Sequence, residues 1–452
     1  MVTKLIITLL ALFYALIANA EYQPSYSFER YIKTITVHAD GTNEVLDEAL
    51  DKVETEKGIK SASQSDLSYI KGMQTLQILD AYTITPDGKK VKVRKENIRE
   101  RDDPTSNGAD MFSDTKHKII VYPEVSVGSK LYSKVKTTNF KSLFKNHFIY
   151  SEVTLPYYKY GYYEINFIVD KGITLNFDNK GFAGGFVRET ENNNIYKFTY
   201  TQNTAIPSEP GMVSLYDVSN HLFVSSFKDY AEYSQAYHRL SEPKAKPTAL
   251  IQGLAEGIIA KSGGGDKRAE AKALYEWIVN NIRYIAVYMG DGGVNPHYAE
   301  SIVKNGYGDC KDHAVLYEAL LAARGIKSSP ALINAGEAFT LPKYPVLVPQ
   351  NHVITYIPEF DLYADATSHN VPFGYIPFWV RDKPTVLTAL NKLGKTPSMK
   401  ANENIVKTTV KFKIQPDGKI DGVSTLVASG PIETSYRENQ VSNVGKDDSK
   451  VD

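Results

Sequence analysis

The stretch Tyr-Gly-Asp-Cys-Lys-Asp occupies residues 307–312, where a glycine turn meets a strongly helical run. It contains Cys310, the one cysteine among 452 residues. A helix N-terminus presents unpaired backbone N–H groups and a partial positive charge, and both favour a thiolate over a thiol. Free cysteine is more often a small buried hydrophobe, but Asp309 and Asp312 make this a polar helix start. The stretch therefore predicts a thiol nucleophile at Cys310.

The sequence after this stretch predicts a buried helix that packs on a sheet. Residues 314–323 are apolar nearly all round, and Arg-Gly at 324–325 supplies the cation and the glycine of a helix end. Short apolar runs typical of strands follow at 329–333, 351–357 and 361–365. A helix that carries the thiol in its first turn would thus lie against a sheet.

Two residues on these strands are positioned to act with the thiol. His352 lies on the second strand and Asp365 ends the third, and the turn at Pro358-Glu359 allows the two strands to pair antiparallel. The pairing would place an acid beside the imidazole. In such a set the histidine takes the thiol proton and later gives it to a leaving amine, while the carboxylate orients the imidazole. The backbone N–H of Cys310 would contribute to an oxyanion hole.

Other residues are weaker candidates for the same roles. His313 lies one helical turn after Cys310, but a base on the same helix is not held independently of the thiol. His297 and His369 either line the cleft or lie in loops, and Asp361 competes with the later aspartate. No His, Cys, Asp or Glu run has zinc spacing, and no phosphate-binding glycine loop occurs, so the sequence predicts no metal and no cofactor.

The first residues of the chain predict export. Residues 1–20 combine Lys4, an apolar run at 5–17 and Ala-Asn-Ala at 18–20, which is the pattern of a signal peptide with a small-residue cleavage site. We therefore expect a mature protein that begins near Glu21 and works in the periplasm or outside the cell. A single cysteine cannot form an internal disulfide, so the stability of the protein must come from its hydrophobic cores.

The charge balance argues against a nucleic-acid partner. Lysine plus arginine equals aspartate plus glutamate at 52 each, the formal net charge is zero, and no basic stripe is present that could neutralise a phosphate backbone. The expected partners are a protein or peptide substrate and, as a second prospect, a component of the cell envelope. The oligomeric state is left open.

The N-terminal part has the residue pattern of a β domain. Residues from about 31 to 200 are mostly short alternating runs, with Asp-Gly turns at 40–41 and 87–88. This pattern of short strands and turns predicts an antiparallel β-sandwich. Within it, residues 44–57 are interpreted as a short helix and residues 99–114 as a polar loop.

The sequence pattern changes from strands to helices near residues 243–247, where Lys-Ala-Lys-Pro leads into helical runs at 248–260 and 267–282. The fold class is therefore α+β. After the signal peptide at 1–20, we expect a β domain with its linker at 21–240, an α+β core at 241–400 and a partial C-terminal β segment at 401–452. That segment has strand texture near 405–414 and 422–428 and then a polar tail at 439–452, which favours a truncated third domain.

These motifs together resemble the transglutaminase-like superfamily of papain-fold thiol enzymes. The resemblance rests on residues 307–312, on Asn-His-Val at 351–353 and on Asp-Ala-Thr at 365–367, in the order Cys, His, Asp. The runs Ile-Arg-Tyr-Ile at 282–285 and Gly-Gly-Val-Asn-Pro-His at 292–297 resemble its exported bacterial branch. In that branch the papain-like core follows a β domain catalogued as DUF3857.

The resemblance implies a triad of Cys310, His352 and Asp365 that acts on protein or peptide amide bonds without a cofactor. Tyr284 and Tyr288 are the candidates for an aromatic residue that supports the oxyanion. Peptidases and transamidases share the acyl-enzyme step, so both activities stay open. The alternative is a catalytically silent transglutaminase-like scaffold that binds a cell-envelope or extracellular partner.

Overall fold

The computed structural model describes residues 22–103, 111–288 and 290–443. The predicted signal peptide, part of the expected loop at 99–114 and the end of the expected polar tail lie outside these residues. The strands are β1 (Tyr26–Val37), β2 (Asn43–Val53), β3 (Gln64–Ile70), β4 (Gln74–Ile84), β5 (Lys90–Lys92), β6 (Ile98–Asp102), β7 (Met111–Ser113), β8 (Thr115–Val121), β9 (Lys130–Asn139), β10 (Ile149–Val153), β11 (Tyr160–Asp170), β12 (Asn176–Lys180), β13 (Ala183–Glu189), β14 (Asn193–Gln202), β15 (His221–Ser225), β16 (Arg283–Tyr284), β17 (Ala286–Tyr288), β18 (Tyr307–Gly308), β19 (Ser329–Ile333), β20 (His352–Ile357), β21 (Leu362–Ala364), β22 (Pro384–Leu387), β23 (Lys392–Lys395), β24 (Ile405–Ile414) and β25 (Ile420–Ser429). The α-helices are α1 (Glu56–Ala62), α2 (Leu215–Val218), α3 (Tyr230–Ser241), α4 (Ala249–Ser262), α5 (Lys267–Asn281), α6 (Ala299–Asn305), α7 (Cys310–Ala323) and α8 (Ile432–Asn443).

The N-terminal part is built on an eight-stranded sheet with the strand order β13-β14-β11-β1-β2-β9-β4-β5. Neighbouring strands run antiparallel except β1 and β11, which are parallel with Ile35 opposite Phe167. A parallel pair needs a long connection, and here strands β2 to β10 lie between its two members in the chain. The predicted β architecture is confirmed, with one parallel pair that local alternation does not reveal.

Two smaller sheets complete the sandwich. The sheet β10-β15-β12 covers a core in which Ile35 and Phe167 pack with Val224 of β15. The sheet β3-β8-β6 covers a second core, where Val53 of β2 packs with Ile120 of β8. Burial of these apolar faces is the main force that holds the sheets together.

Two local predictions in this part are wrong. The helix expected at 44–57 is strand β2 as far as Val53, and helix α1 begins only at Glu56. The segment is rich in residues that favour helices, but hydrogen bonds to β1 on one side and β9 on the other override that propensity. The loop expected at 99–114 begins with β6 and ends with β7, and the polar side chains of β6 form cross-strand ion pairs such as Glu100 with Lys118 of β8 at 3.6 Å.

The C-terminal core consists of a five-stranded antiparallel sheet and a group of helices around α7. The strand order is β21-β20-β19-β22-β23, and β19 matches the predicted strand at 329–333. Helix α7 packs against β19 and β20 and against helices α4, α5 and α6. Leu316 and Leu320 are 0% exposed, in agreement with the predicted buried helix. The fold is α+β, as expected.

The eight-stranded sheet and the two smaller sheets packed on it form what we call the sheet domain. A strand pair and a carboxylate join this domain to the C-terminal core. Strand β7 pairs in parallel with β17 of the core. Directly after β7, the carboxylate of Asp114 accepts hydrogen bonds from the N–H groups of Gly72 and Gly290, each at 3.1 Å. One side chain thereby ties a loop of the sheet domain to a loop of the core.

A hydrophobic cluster also crosses between the two parts. It combines Phe144 of the sheet domain, Tyr233 of α3, and Leu332 and Val353 of the core sheet, and Cys310 packs against it. The rings of Phe144 and Tyr233 meet edge to face with their centroids 5.4 Å apart. The sheet domain is therefore packed beside the first turn of α7.

The C-terminal segment forms a hairpin and a helix. Strands β24 and β25 pair antiparallel with Ile414 opposite Ile420, which confirms the two strands expected there. Helix α8 then covers residues 432–443 and includes the start of the expected polar tail. Within the described part of the chain, no helix combines the length and hydrophobicity that crossing a membrane requires.

Candidate active site

Helix α7 begins at Cys310 because the aspartates on either side of it form a capping box. The side chain of Asp309 accepts a hydrogen bond from the N–H of Asp312 at 3.4 Å, and the carboxylate of Asp312 accepts one from the N–H of Asp309 at 3.2 Å. Both bonds satisfy donors that a helix start leaves unpaired. Cys310, in the first turn, lines a cavity of about 360 Å³, which we call the thiol cavity.

Asp312 also holds the loop that contains His297. Its carboxylate accepts hydrogen bonds from the backbone N–H of His297 at 2.8 Å and from the imidazole Nδ1 at 3.0 Å. Burial alone would raise the pKa of Asp312, but these bonds hold it below its ordinary value, and they raise the pKa of His297. A Cβ atom on Gly308 would lie 2.6 Å from Cβ of Asp312, so this position requires glycine. His297 is thus hydrogen-bonded to the first turn of helix α7.

His352 is the first residue of β20, and its imidazole meets Asp365. Because β20 and β21 pair antiparallel, as predicted, Asp365 returns beside His352 directly after β21. The Nε2 atom of His352 lies 2.9 Å from Oδ2 of Asp365, which leaves Nδ1 for the thiol. Burial alone would lower the pKa of His352, but Asp365 and a hydrogen bond with the Cys310 side chain raise it well above its ordinary value. The three predicted residues are brought together.

Two residues to which the sequence analysis assigned no role hold Asp365 in place. Its Oδ1 atom accepts hydrogen bonds from the hydroxyl of Thr367 at 2.6 Å and from the N–H of Thr367 at 3.1 Å. The hydroxyl of Tyr275, on α5, lies 2.9 Å from the backbone oxygen of Asp365 and 2.8 Å from that of Val371. Burial would raise the pKa of Asp365, but His352 and Thr367 keep it lowered. The Asp-x-Thr turn is a local signal for Thr367, whereas nothing near Tyr275 in the sequence indicates its contact.

The thiol cavity has a polar end and aliphatic walls. Its polar lining residues are Asp309, Cys310, Lys311, Gln350, Asn351 and His352, its aliphatic ones are Ile70, Leu143, Val294, Leu332, Leu347, Val348 and Val353, and the tyrosines Tyr233 and Tyr237 and the glycines Gly290 and Gly293 complete the lining. The volume lies at the lower end of the range of about 300–1,000 Å³ for ligand sites. Lys311 and Asp309 are 3% and 1% exposed and form an ion pair with each other. Their charges are therefore compensated within the protein.

His313 is held by the backbone. Its Nδ1 and Nε2 atoms lie 2.8 Å and 3.3 Å from the backbone oxygens of Asp309 and Ile282, and burial lowers its pKa. The ring of Tyr284 packs on this imidazole with the centroids 5.9 Å apart. Tyr288 lies in β17, and its side chain is outside the described part of the structure. The oxyanion role expected for Tyr284 and Tyr288 stays a prediction.

The remaining alternative residues do not line the thiol cavity. Asp361 is exposed and accepts a hydrogen bond from the hydroxyl of Tyr356 at 2.8 Å. His369 lines a different cavity together with Arg437 of α8. Among residues 22–103, 111–288 and 290–443, no group of three or more His, Cys, Asp or Glu side chains is arranged to hold a metal ion.

Two separate parts of the chain match known families. Residues 252–354 match the transglutaminase-like superfamily. The match includes Cys310 and His352. Residues 21–207 match DUF3857, a domain of unknown function with a solved structure. The order of the two matches confirms the resemblance inferred from the motifs, so we refer to the C-terminal part as the transglutaminase-like core.

A solved structure has the same fold over nearly the whole chain. The crystal structure of a candidate protease from Parabacteroides distasonis ATCC 8503 is similar with a TM-score of 0.66 and 15% identity, covering 93% of this chain and 97% of that chain. At this identity the likeness shows the fold alone. An M1 zinc metallopeptidase variant from Deinococcus radiodurans reaches a TM-score of only 0.22 with 12% identity, over 44% of this chain and 42% of that chain, which is too low to argue from. Among curated proteins, none matches the chain.

Proposed function

We propose that the protein is an exported thiol enzyme that attacks protein or peptide amide bonds through Cys310. The observation that carries this proposal is that Cys310 and His352 line one cavity while His352 is hydrogen-bonded to the buried Asp365 at 2.9 Å. A histidine whose pKa is raised beside a thiol supports a thiolate–imidazolium pair. The transglutaminase-like core supports an amide carbonyl as the target.

In the first half of the reaction, Sγ of Cys310 forms a bond to the amide carbonyl carbon. The N–H groups in the first turn of α7, including that of Cys310, stabilise the oxyanion that develops. The C–N bond then breaks as His352 gives its proton to the leaving amine. The product is an acyl-enzyme thioester and a free amine.

In the second half, water or a primary amine attacks the thioester while His352 accepts a proton from the attacking atom. The C–S bond breaks and the thiolate–imidazolium pair is restored. Water gives hydrolysis, and an amine gives transamidation. Asp365 holds the imidazole in place and stabilises its charge, and acid–base assistance of this kind is worth about 10²–10⁴-fold.

Export is part of the proposal because residues 1–20 have the pattern of a signal peptide. We expect the chain, expressed in a bacterial host with a periplasm, to be recovered from the periplasm or the medium. Sequencing of its N-terminus is expected to find a start near Glu21. Recovery from the cytosol with residues 1–20 intact would contradict export.

The activity is tested by incubating the protein with a proteome-derived peptide mixture, with and without monodansylcadaverine as an acceptor amine. Mass spectrometry then detects new termini, which report hydrolysis, and dansylated peptides, which report transamidation. The matched control is Cys310→Ala, with its folding checked by circular dichroism, and we expect it to give neither product.

Equal products from the parent and Cys310→Ala would overturn the proposal. If the parent gives no product and both proteins capture the same cell-envelope component, the scaffold alternative replaces it.

A further inference from the structure

The sheet domain contributes directly to the thiol cavity. Ile70, which ends β3, and Leu143, which lies between β9 and β10, line the cavity together with Cys310 and His352. Both side chains are half-buried, and Leu143 packs against the same hydrophobic cluster as Cys310. A side chain bound next to the thiol would therefore touch the sheet domain as well as the core.

A second cavity of about 260 Å³ continues from the same two residues. It shares Ile70 and Leu143 with the thiol cavity and extends along the sheet domain past Met73, Phe148 and Tyr150. The shared residues make the two cavities neighbours, with Ile70 and Leu143 in the wall of each.

The position of Ile70 is fixed by a series of hydrogen bonds. Its N–H donates to Oε1 of Gln74 at 2.7 Å, and Nε2 of Gln74 donates to Oδ1 of Asn139 at 2.6 Å. Two residues later, the N–H of Gly72 donates to Asp114, which also holds Gly290 of the thiol cavity. The wall from the sheet domain is therefore held in position before any ligand binds.

Gln350 gives the thiol cavity an unused pair of hydrogen-bonding groups. The residue is 8% exposed, and neither its amide nitrogen nor its amide oxygen has a hydrogen-bond partner. Buried amides are almost always paired, so this one has hydrogen-bonding capacity that a bound water or ligand can satisfy. A carboxamide offers one acceptor and two donors, which fit the N–H and C=O of a peptide backbone.

We propose that the sheet domain forms a specificity subsite for a peptide with a large apolar residue next to the scissile amide. Ile70 and Leu143 contact that side chain together with Leu347 of the core, and Gln350 pairs with the peptide backbone. Charged side chains are disfavoured because the charged groups of the cavity already have partners within the protein: Lys311 pairs with Asp309, and His352 pairs with Asp365. The proposal rests on the proposed function of Cys310.

The test measures binding first, because binding does not need the thiol. Fluorescein-labelled peptides that differ only at one position, which carries Leu, Phe, Asp or Lys, are titrated into the full chain with Cys310→Ala and followed by anisotropy. We expect Leu and Phe peptides to bind at least about tenfold more tightly than Asp and Lys peptides. Adding Leu143→Asp or Ile70→Asp is expected to remove this preference. The control is Leu79→Asp, at a position on β4 that is 49% exposed and outside both cavities, and it is expected to keep the preference.

Gln350→Ala is expected to weaken the binding of all four peptides by about tenfold, without a change in their order and without a loss of thermal stability. A lowered Tm with unchanged affinities would assign Gln350 a structural role and overturn its part of the proposal. Equal affinities for apolar and charged peptides, or a preference that survives Leu143→Asp and Ile70→Asp together, would overturn the subsite.

The two proposals fail in different ways. The rate of Cys310 alkylation by iodoacetamide reports on the thiol separately from peptide binding, and in Leu79→Asp, at a position outside both cavities, it is expected to equal that of the parent. An apolar preference in binding, with no turnover and ordinary thiol reactivity in the parent, would keep the subsite and reject the enzyme. Normal activation of the Cys310 thiol, with equal binding of apolar and charged peptides, would keep the enzyme and reject the subsite.

Discussion

Nε2 of His352 lies 2.9 Å from Oδ2 of Asp365, and the side chains of both residues are buried. Each group keeps its charge in a buried environment because of the other. The pKa of His352 is raised and that of Asp365 is lowered, although burial acts in the opposite direction on both. The stability of the fold and the reactivity of the thiol should therefore depend on pH through the same pair.

The first prediction concerns stability against pH. The contribution of His352, whose pKa is raised on folding, is complete below its unfolded value of about 6.5 and is lost as the pH rises through the folded value. The contribution of Asp365, whose pKa is lowered on folding, is complete above its unfolded value of about 3.9 and is lost as the pH falls through the folded value. The pair should thus stabilise the fold most between about pH 4 and pH 6.5.

Urea unfolding of the parent and of Asp365→Asn measures this dependence. We expect the difference in unfolding free energy between the two proteins to be larger at about pH 5.5 than at about pH 9. A difference that is the same at both pH values would mean that the two residues are not an ion pair in the folded protein.

The second prediction concerns thiol reactivity, which a chain with one cysteine reports without ambiguity. The parent should react with iodoacetamide faster than His352→Ala below neutral pH, because a neighbouring imidazolium favours the reactive thiolate. His352→Ala should return the rate profile to the ordinary range. His369→Ala, at a position outside the thiol cavity, serves as the control and should match the parent. An ordinary profile in all three proteins would make Cys310 a packing residue.

The third prediction tests the hydroxyl of Tyr275, which lies within hydrogen-bond distance of the backbone oxygens of Asp365 and Val371. Tyr275→Phe removes the donor from a buried site and should lower the unfolding free energy by about 1–3 kcal/mol. Tyr375→Phe, at a position that is 46% exposed, should change it by less than about 0.5 kcal/mol. Chemical denaturation of both variants makes the comparison, and equal effects would show that the buried hydroxyl is dispensable.

The fourth prediction uses two glycines with opposite surroundings. A Cβ atom at Gly308 would meet Asp312 at 2.6 Å, whereas one at Gly257 of α4 would meet nothing within 4 Å. Gly308→Ala should lower the unfolding free energy by about 1–3 kcal/mol and slow the alkylation of Cys310, because the start of α7 must shift. Gly257→Ala should raise it by about 0.5–1 kcal/mol, because alanine is the better helix former. Thermal unfolding of both variants checks the two signs.

The sequence predicts what depends on neighbours along the chain. Capping by Asp309 and the antiparallel return from His352 to Asp365 are local features, so motif and turn patterns locate them. Tyr275 reaches Asp365 across a long stretch of chain, and Gln350 is unusual only because its folded surroundings leave it unpaired. Such contacts arise from packing, which local patterns do not encode.

The same limit explains the errors in the fold. Strand β2 has the composition of a helix, and only its two neighbouring strands make it extended. The parallel pairing of β1 with β11 joins strands that are far apart in the chain, so alternation within either strand carries no sign of it.

Strand β7 has a consequence for how the chain can be divided. In the described structure it pairs with β17 and with no other strand, so its partner is made only after more than half of the chain has been synthesised. An N-terminal fragment that ends before β17 would leave the backbone donors and acceptors of β7 unmatched and would lack Gly290 as a partner for Asp114. A cut between the two parts would therefore leave each part without hydrogen-bond partners that the other supplies.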